Sequence, residues 1–402
     1  MSDYFDQVIN RCGTESAKWR TYPDDVLPLW VADMDFMSPK PVRRALREAV
    51  DHGVFGYPRG PHGDAADLPE CGQTIVERLR DRYAWHVELQ DVIFLPGIVV
   101  GLNVMGNMFR AQGGSIAVQP PVYTPIFEAP QIAELTRNEA LLAHQPDGTY
   151  AVDWDQFAAA LHADTRAFIL CNPHNPVGRV FRRDELEPMA ELCLARNVLI
   201  CSDEIHGDLI YKNCREGVPR PGGSPRHLPI ASLDPEIAQH TVTFFAPSKT
   251  FNLPGLQASI VIIQNPELRQ RFQAARQNLV PWVNLMGLVA MQAAYREGQA
   301  WLDELLVYLE ANLDFAHEFV ANELPGLSMA KPEGTYLAWI DCRGANLENP
   351  YEFFLSQAKV ALYNGSIYGT GGQGFVRLNF GCPRATLEEA LQRMKKALME
   401  RK

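Results

Sequence analysis

The chain has 402 residues, 47% of them hydrophobic and 21% charged, an ordinary soluble globular composition with length for about two domains. Thirty-seven basic residues against 48 acidic ones leave a formal charge of −11, which argues against a general nucleic-acid surface, and no basic run supplies a local one. No apolar run approaches the ~20 residues of a membrane helix, the polar opening MSDYFDQVIN is not a signal peptide, and eight scattered cysteines without a CxxC pair read as reduced thiols, so a cytoplasmic protein is expected.

The first 50 residues are expected to pack with the C-terminal part of the chain. HGDAADLPECG (62–72) reads as a solvated loop entering a helix. DVIFL (91–95) reads as a strand ending at Pro96-Gly97, and the amphipathic IVVGLNVMGNMFRA follows it. GSIAVQ (114–119) is a second strand, stopped by a Pro-Pro pair. Asp147-Gly148 marks a turn, and in VDWDQFAAAL Asp153 is placed to cap a helix with Gln156 as its N3 partner. TRAFILCNP (165–173), VLICSDE (198–204), TVTFFA (241–246) and SIVIIQ (259–264) are further strands, with the helical RRDELEPMAELCLARN between the first two. The Pro- and Gly-rich stretch 212–230 reads as a surface loop. From about 290 the texture changes to a long helical stretch (WLDELLVYLEANLDFAHEFVANEL), the strands TYLAWID and FVRLNFG, and a terminal helix starting near Thr386. Short β-rich runs alternating with helices predict an α/β class. A large domain with a mostly parallel sheet is expected over 51–289, and a smaller α+β domain over 1–50 plus 290–402.

Several polar residues fall just beyond predicted strands: Gly97, Tyr123, Asn172, Asn175, Asp203 and Lys249. In a parallel sheet such positions converge on one edge, where ligands bind. A lysine, an aspartate, an asparagine, an aromatic ring and a helix start fit a charged aromatic cofactor bearing a phosphate. Pyridoxal 5′-phosphate asks for this set. Its aldehyde needs a lysine whose pKa is lowered, which the apolar setting FFAPSKTFNLPG offers Lys249. Its pyridine nitrogen needs a carboxylate such as Asp203. Its phosphate suits the free N–H groups of the helix start after Gly97 and the Ser248 hydroxyl.

SDEIH, NPHNPVG and SKTFNLPG, in this order, resemble the fold-type-I pyridoxal-phosphate enzymes, which include the class I/II aminotransferases; the resemblance runs from about residue 25 to 395. It implies that Lys249 carries the coenzyme as a Schiff base and moves the substrate's Cα proton. It implies that Asp203 pairs with the pyridine nitrogen, that Asn175 bonds the ring's 3′-oxygen and borders the substrate, and that Tyr123 stacks on the ring. Gly97, Ile98 and Val99 would offer amides to the phosphate, with Ser248 adding its hydroxyl. Tyr57, in GVFGYP, would reach the phosphate of a neighbouring subunit, making a homodimer, and Arg377, in FVRLNFG, would grip the substrate α-carboxylate.

Three features resemble the cystathionine β-lyase and cysteine C–S lyase branch (the MalY/PatB-type proteins). Gln257 stands where aminotransferases of this kind usually carry a phosphate-binding arginine. His206 stands where a tyrosine commonly meets the 3′-oxygen. LWVADMDF (29–36) is similar to that branch, and places Trp30, Ala32 and Asp33 near the substrate. The implied reaction is β-elimination from L-cystathionine or another S-substituted L-cysteine, giving thiol, pyruvate and ammonia. An aminotransferase of the same fold is the alternative, and a partner-binding regulator retaining the fold is a third reading.

Plainer readings stand beside these. Lys249 is also a candidate surface lysine, and Asp203 a helix cap. His206 also suits core packing, whereas the lack of a ligand cluster around it argues against a metal. Tyr123 and Trp30 suit core packing, Tyr57 a Tyr-Pro turn, and Arg377 a structural ion pair.

Overall fold

Seven strands build the central sheet: β1 (Val92–Leu95), β2 (Ser115–Val118), β3 (Thr136–Glu139), β4 (Thr165–Cys171), β5 (Leu199–Asp203), β6 (Thr241–Phe245) and β7 (Ser259–Ile262). In this computed structural model, which describes residues 4–58, 68–212 and 227–401, their order is β1-β7-β6-β5-β4-β2-β3. Most of the loop expected at 212–230, and residues 62–67 of the loop expected at 62–72, lie outside the described residues. The pairs β2–β3, β2–β4, β4–β5 and β5–β6 are parallel. Only β7 is reversed, antiparallel to both β6 and β1. Helices cover the faces, so β1, β2 and β6 are buried at every residue and read as unbroken apolar or small-residue runs. The edge strand β3, TRNE, is polar and half-exposed. It carries no alternation to betray it, and it is the strand that sequence patterning passes over.

Of the helices, α1 (Lys40–His52), α2 (Pro69–Tyr83), α3 (Ile98–Asn107), α4 (Thr124–Ile132), α5 (Arg183–Ala195) and α6 (Pro247–Thr250) belong to the first 250 residues. The expected cap is present: Asp153 Oδ1 accepts from the Gln156 N–H at 3.0 Å. The long helix expected over WLDELLVYLEANLDFAHEFVANEL is present as α8 (Gln299–Glu323), and a separate helix, α7 (Leu285–Glu297), precedes it across Gly298. A Cβ at Gly298 would lie 2.4 Å from the Ala294 carbonyl and 2.6 Å from the Phe251 ring, so the junction packs closely on that ring. Helix α7 packs on both α1 and α2.

A second, antiparallel sheet holds β8 (Ser328–Met329), β9 (Leu337–Asp341), β10 (Tyr363–Asn364) and β11 (Phe375–Asn379) in the order β8-β9-β11-β10. The terminal helix α9 (Arg384–Met399) follows it. The N-terminal segment splits its allegiance. Leu27 and Pro28 pair in parallel with Val360 and Ala361, whereas α1 lies against α7. The seven cysteines among the described residues are free, six of them buried. No helix among the described residues is long and apolar enough to cross a membrane.

Candidate active site

The carboxyl ends of β6, β5, β4 and β2 stand side by side, and each delivers a polar side chain. Asp203 is the last residue of β5 and is 3% exposed. Its Oδ1 accepts from the Ile205 N–H at 3.1 Å. Burial pushes its carboxyl up to about 7, against the Ile205 bond. Lys249 lies on α6, just past β6. The sequence suggests a lysine enclosed by apolar neighbours; the structure leaves it half-buried. Burial of the amine still pushes it down to about 8, and the Arg377 guanidinium pushes the same way, while Asp33 and Asp203 oppose. The amine donates to the Ala32 carbonyl at 2.7 Å.

His206 is buried, and burial together with Lys249 and Arg377 holds its imidazole far below the ordinary range, hence neutral. Its ring meets Tyr336 edge-on at 6.1 Å. Past β4, Asn175 is 4% exposed, and its Oδ1 accepts from Arg377 Nη1 at 3.1 Å. The Asn175 carbonyl accepts from the Tyr123 N–H at 2.9 Å, tying the loop after β2 to the loop after β4. Tyr123 precedes α4 and is half-buried; burial raises its phenol. Arg377, on β11, is 2% exposed and crosses from the second sheet to the first. Its Nη2 donates to the Trp30 carbonyl at 2.8 Å, and its guanidinium lies 4.8 Å from the Tyr363 ring and 5.4 Å from that of Tyr368.

Gly97 precedes α3, whose opening residues include buried Ile98 and Val99, 37% exposed. The first N–H groups of a helix have no intrahelical acceptor. Ser248 is half-buried on α6. Gln257 sits exposed after Leu256 in the left-handed region, φ 48°, so no arginine takes that position.

The segment 29–36 meets the site through its backbone. The Ala32 carbonyl accepts from Lys249 and, at 2.8 Å, from the Tyr336 hydroxyl. Trp30 contributes its carbonyl to Arg377, while its ring rests 5.5 Å from Tyr363 and its indole N–H binds the Lys18 carbonyl. The Asp33 carboxylate is held by Arg11 at 3.0 Å and faces Lys18 at 3.6 Å. Asn379 Nδ2 donates to the Val31 and Asp33 carbonyls, each at 2.6 Å. Tyr336, Asn379, Arg11 and Lys18 escape sequence reasoning, since nothing in their local pattern distinguishes them; only TYLAWID and FVRLNFG mark two of them as lying on strands. Tyr57 is not in this cluster within one chain. It is 86% exposed and meets Trp282 edge-on at 4.6 Å.

The residues present fit pyridoxal 5′-phosphate. His206 Nδ1 and Arg377 Nε are buried without a hydrogen-bond partner among the described residues. Asp203 is a buried carboxylate in want of a cation, and the Lys249 amine stands on the helix just past the neighbouring strand. Such unmet groups are costly unless a ligand answers them.

A mostly parallel sheet with this lysine–aspartate–arginine edge defines the fold-type-I, aspartate-aminotransferase-like class. The chain belongs to the family "Aminotransferase class I and II", whose model matches residues 24–394. It is 40% identical to "Cystathionine beta-lyase PatB" of Bacillus subtilis (strain 168), over 98% of this chain and 99% of that protein. Among solved structures, OvoB superposes with a TM-score of 0.90 at 40% identity, covering 99% of this chain and 100% of OvoB. Cystalysin from Treponema denticola, which contains pyridoxal 5′-phosphate, gives 0.89 at 32% identity and 98% of each chain.

Proposed function

We propose that this protein is a pyridoxal-phosphate-dependent carbon–sulfur lyase that cleaves the Cβ–S bond of L-cystathionine or another S-substituted L-cysteine. The observation that carries the reading is the meeting of Lys249, Asp203, His206, Asn175 and Arg377 at the sheet edge, in a chain similar over its whole length to a cystathionine β-lyase.

When bound, the coenzyme would supply an electron sink for the bonds at the substrate's Cα. Asp203 would keep the proton on its pyridine nitrogen. Asn175 and His206 would face its 3′-oxygen, and Tyr123 its ring. Gly97, Ile98, Val99 and Ser248 would receive its phosphate, and Gln257 would contribute no charge there. Arg377, already paired to Asn175 and fixed by the Trp30 carbonyl, is set to hold the substrate α-carboxylate as a two-pronged donor. Lys249 in its neutral form takes the Cα proton on Nζ. The Cβ–S bond then breaks, its electron pair leaves with sulfur, and the Lys249 ammonium is placed to return a proton to the thiolate. The three-carbon remainder hydrolyses to pyruvate and ammonia. Ala32, Trp30 and Asp33 line the substrate side of the lysine.

Incubation with L-cystathionine and no keto acid tests this directly. Pyruvate and thiol released in equal amounts are expected; strict dependence on a keto-acid acceptor would instead make the chain an aminotransferase.

We further infer a homodimer in which Tyr57 reaches the partner's site. Val50, Val54, Phe55, Tyr57, Leu279 and Trp282 are all 40% or more exposed, which supports an interaction face. The two domains are inferred to be 51–289 and 1–50 with 290–402. The free cysteines support a cytoplasmic setting.

A further inference from the structure

The roles above leave the buried charged cluster around Asp208 without a task. Asp208 is 6% exposed. Its Oδ2 accepts from Arg78 Nη2 at 2.8 Å and from Thr250 Oγ1 at 3.1 Å. Its Oδ1 accepts from the Tyr83 hydroxyl at 2.8 Å and pairs with Arg82. The Arg78 guanidinium lies 4.8 Å from the Tyr295 ring and 5.6 Å from that of Phe251. Burial opposes the charge of Asp208, but Arg78 and Arg82 outweigh it and hold the carboxyl well below its usual range.

Thr250 and Phe251 are the two residues after Lys249. The helix that carries the lysine has four residues, too few to hold its own geometry. What holds it is lateral: the buried Thr250 hydroxyl on Asp208, and Phe251 under Arg78. Asp208 in turn ends the turn that begins at Asp203, which is closed by Gly207 N–H to the Glu204 carbonyl at 2.9 Å and Leu209 N–H to the His206 carbonyl at 2.8 Å. One short segment therefore presents Asp203 at its start and, five residues on, the acceptor for the lysine helix.

We propose that Asp208, clamped by Arg78, is a positioning residue that sets Lys249 against Asp203 through the Thr250 hydroxyl. This rests on the coenzyme-binding role proposed for Lys249. A purely structural ion pair would tie α2 to the 203–208 turn and would be indifferent to Thr250. Replacing Thr250 by valine keeps its volume and every ion pair, and removes only the hydroxyl, so it separates the two roles.

The test compares wild type, Thr250→Val and Thr250→Ser, each loaded with pyridoxal 5′-phosphate. In Thr250→Val the pH midpoint of the visible absorbance band moves by ~0.5 unit or more, and kcat falls ~10-fold with KM for the thioether within ~2-fold. Thr250→Ser restores both. Asp208→Asn, if it folds, moves the midpoint in the same direction. A Thr250→Val enzyme with wild-type midpoint and kcat overturns the clamp, as does a defect that serine fails to repair. A wild type that develops no visible band with the coenzyme overturns the reading of Lys249 and the clamp together. A band present in wild type and absent in Lys249→Ala keeps that reading, and the Thr250 variants then judge the clamp alone.

Discussion

Lys249 combines a chemical requirement with a physical cause. An ordinary lysine amine stays protonated at neutral pH and takes no proton from carbon. Here burial and the neighbouring Arg377 push it down to about 8. The base form grows as pH rises through that value, so the coenzyme-free chain is expected to take up pyridoxal phosphate faster from about pH 7 to about 9, read as growth of the visible absorbance band. Lys249→Ala should form no such band and should lower kcat by ~10²–10⁴-fold. Asp203 makes a prediction of opposite sign, about stability. Its carboxyl is raised to about 7 in the folded, coenzyme-free protein, above its unfolded value. The folded state therefore binds the extra proton, and its stability falls as pH rises from about 4 to about 7, then levels off. Coenzyme-free Asp203→Asn escapes this cost. Its melting temperature should exceed that of wild type by a margin that widens across this window, while its affinity for pyridoxal phosphate drops. A margin independent of pH would remove Asp203 as the cause.

At the scale of the element, α3 lies close against the sheet, as the proposed phosphate site requires of its first turn. Gly101 permits this. A Cβ there would meet the Phe244 ring at 2.3 Å and the Leu95 side chain at 2.9 Å. Both neighbours are fully buried core residues with nowhere to go. Gly101→Val should destabilise the fold by ~1–3 kcal/mol in urea titration and loosen coenzyme binding as the helix start withdraws. Elements were unequally legible beforehand. β1, β2, β4, β5, β6 and β7 announce themselves because a strand buried on both faces must be apolar throughout. The edge strand β3 has a solvated side and polar residues, and so leaves no such mark. The packing of the Phe251 ring at Gly298, just before α8, is likewise hidden, since a glycine does not by itself say that a bulky ring packs there.

At the scale of the molecule, the exposed apolar residues Val54, Phe55, Tyr57 and Trp282 are the basis of the proposed homodimer. Trp282→Asp should shift sedimentation from dimer towards monomer. Tyr57→Phe should leave the dimer and the fold intact but speed loss of pyridoxal phosphate. Unchanged retention in Tyr57→Phe would detach that residue from the partner's site.

The sequence by itself determined the alternation of strand and helix, and hence which loops end at the carboxyl edge of the sheet. It also determined the kinds of side chain those loops carry, since Asp203 ends a recognisable run and Lys249, Asn175 and Tyr123 each lie within a few residues of one. Only the tertiary structure decided how the segment 29–36 serves the site. Its contributions are backbone carbonyls from Trp30 and Ala32, and a carbonyl looks the same at every residue of a sequence. The Asp33 carboxylate, which local sequence cannot pair, is claimed by Arg11 and Lys18. Thr250 and Asp208 lie 42 positions apart, and their meeting depends on β5 and β6 being neighbours. Chemistry that lies in one side chain and its local setting can be read along the chain; chemistry that needs two distant segments at hydrogen-bond distance is fixed only when the sheet has chosen its strand order.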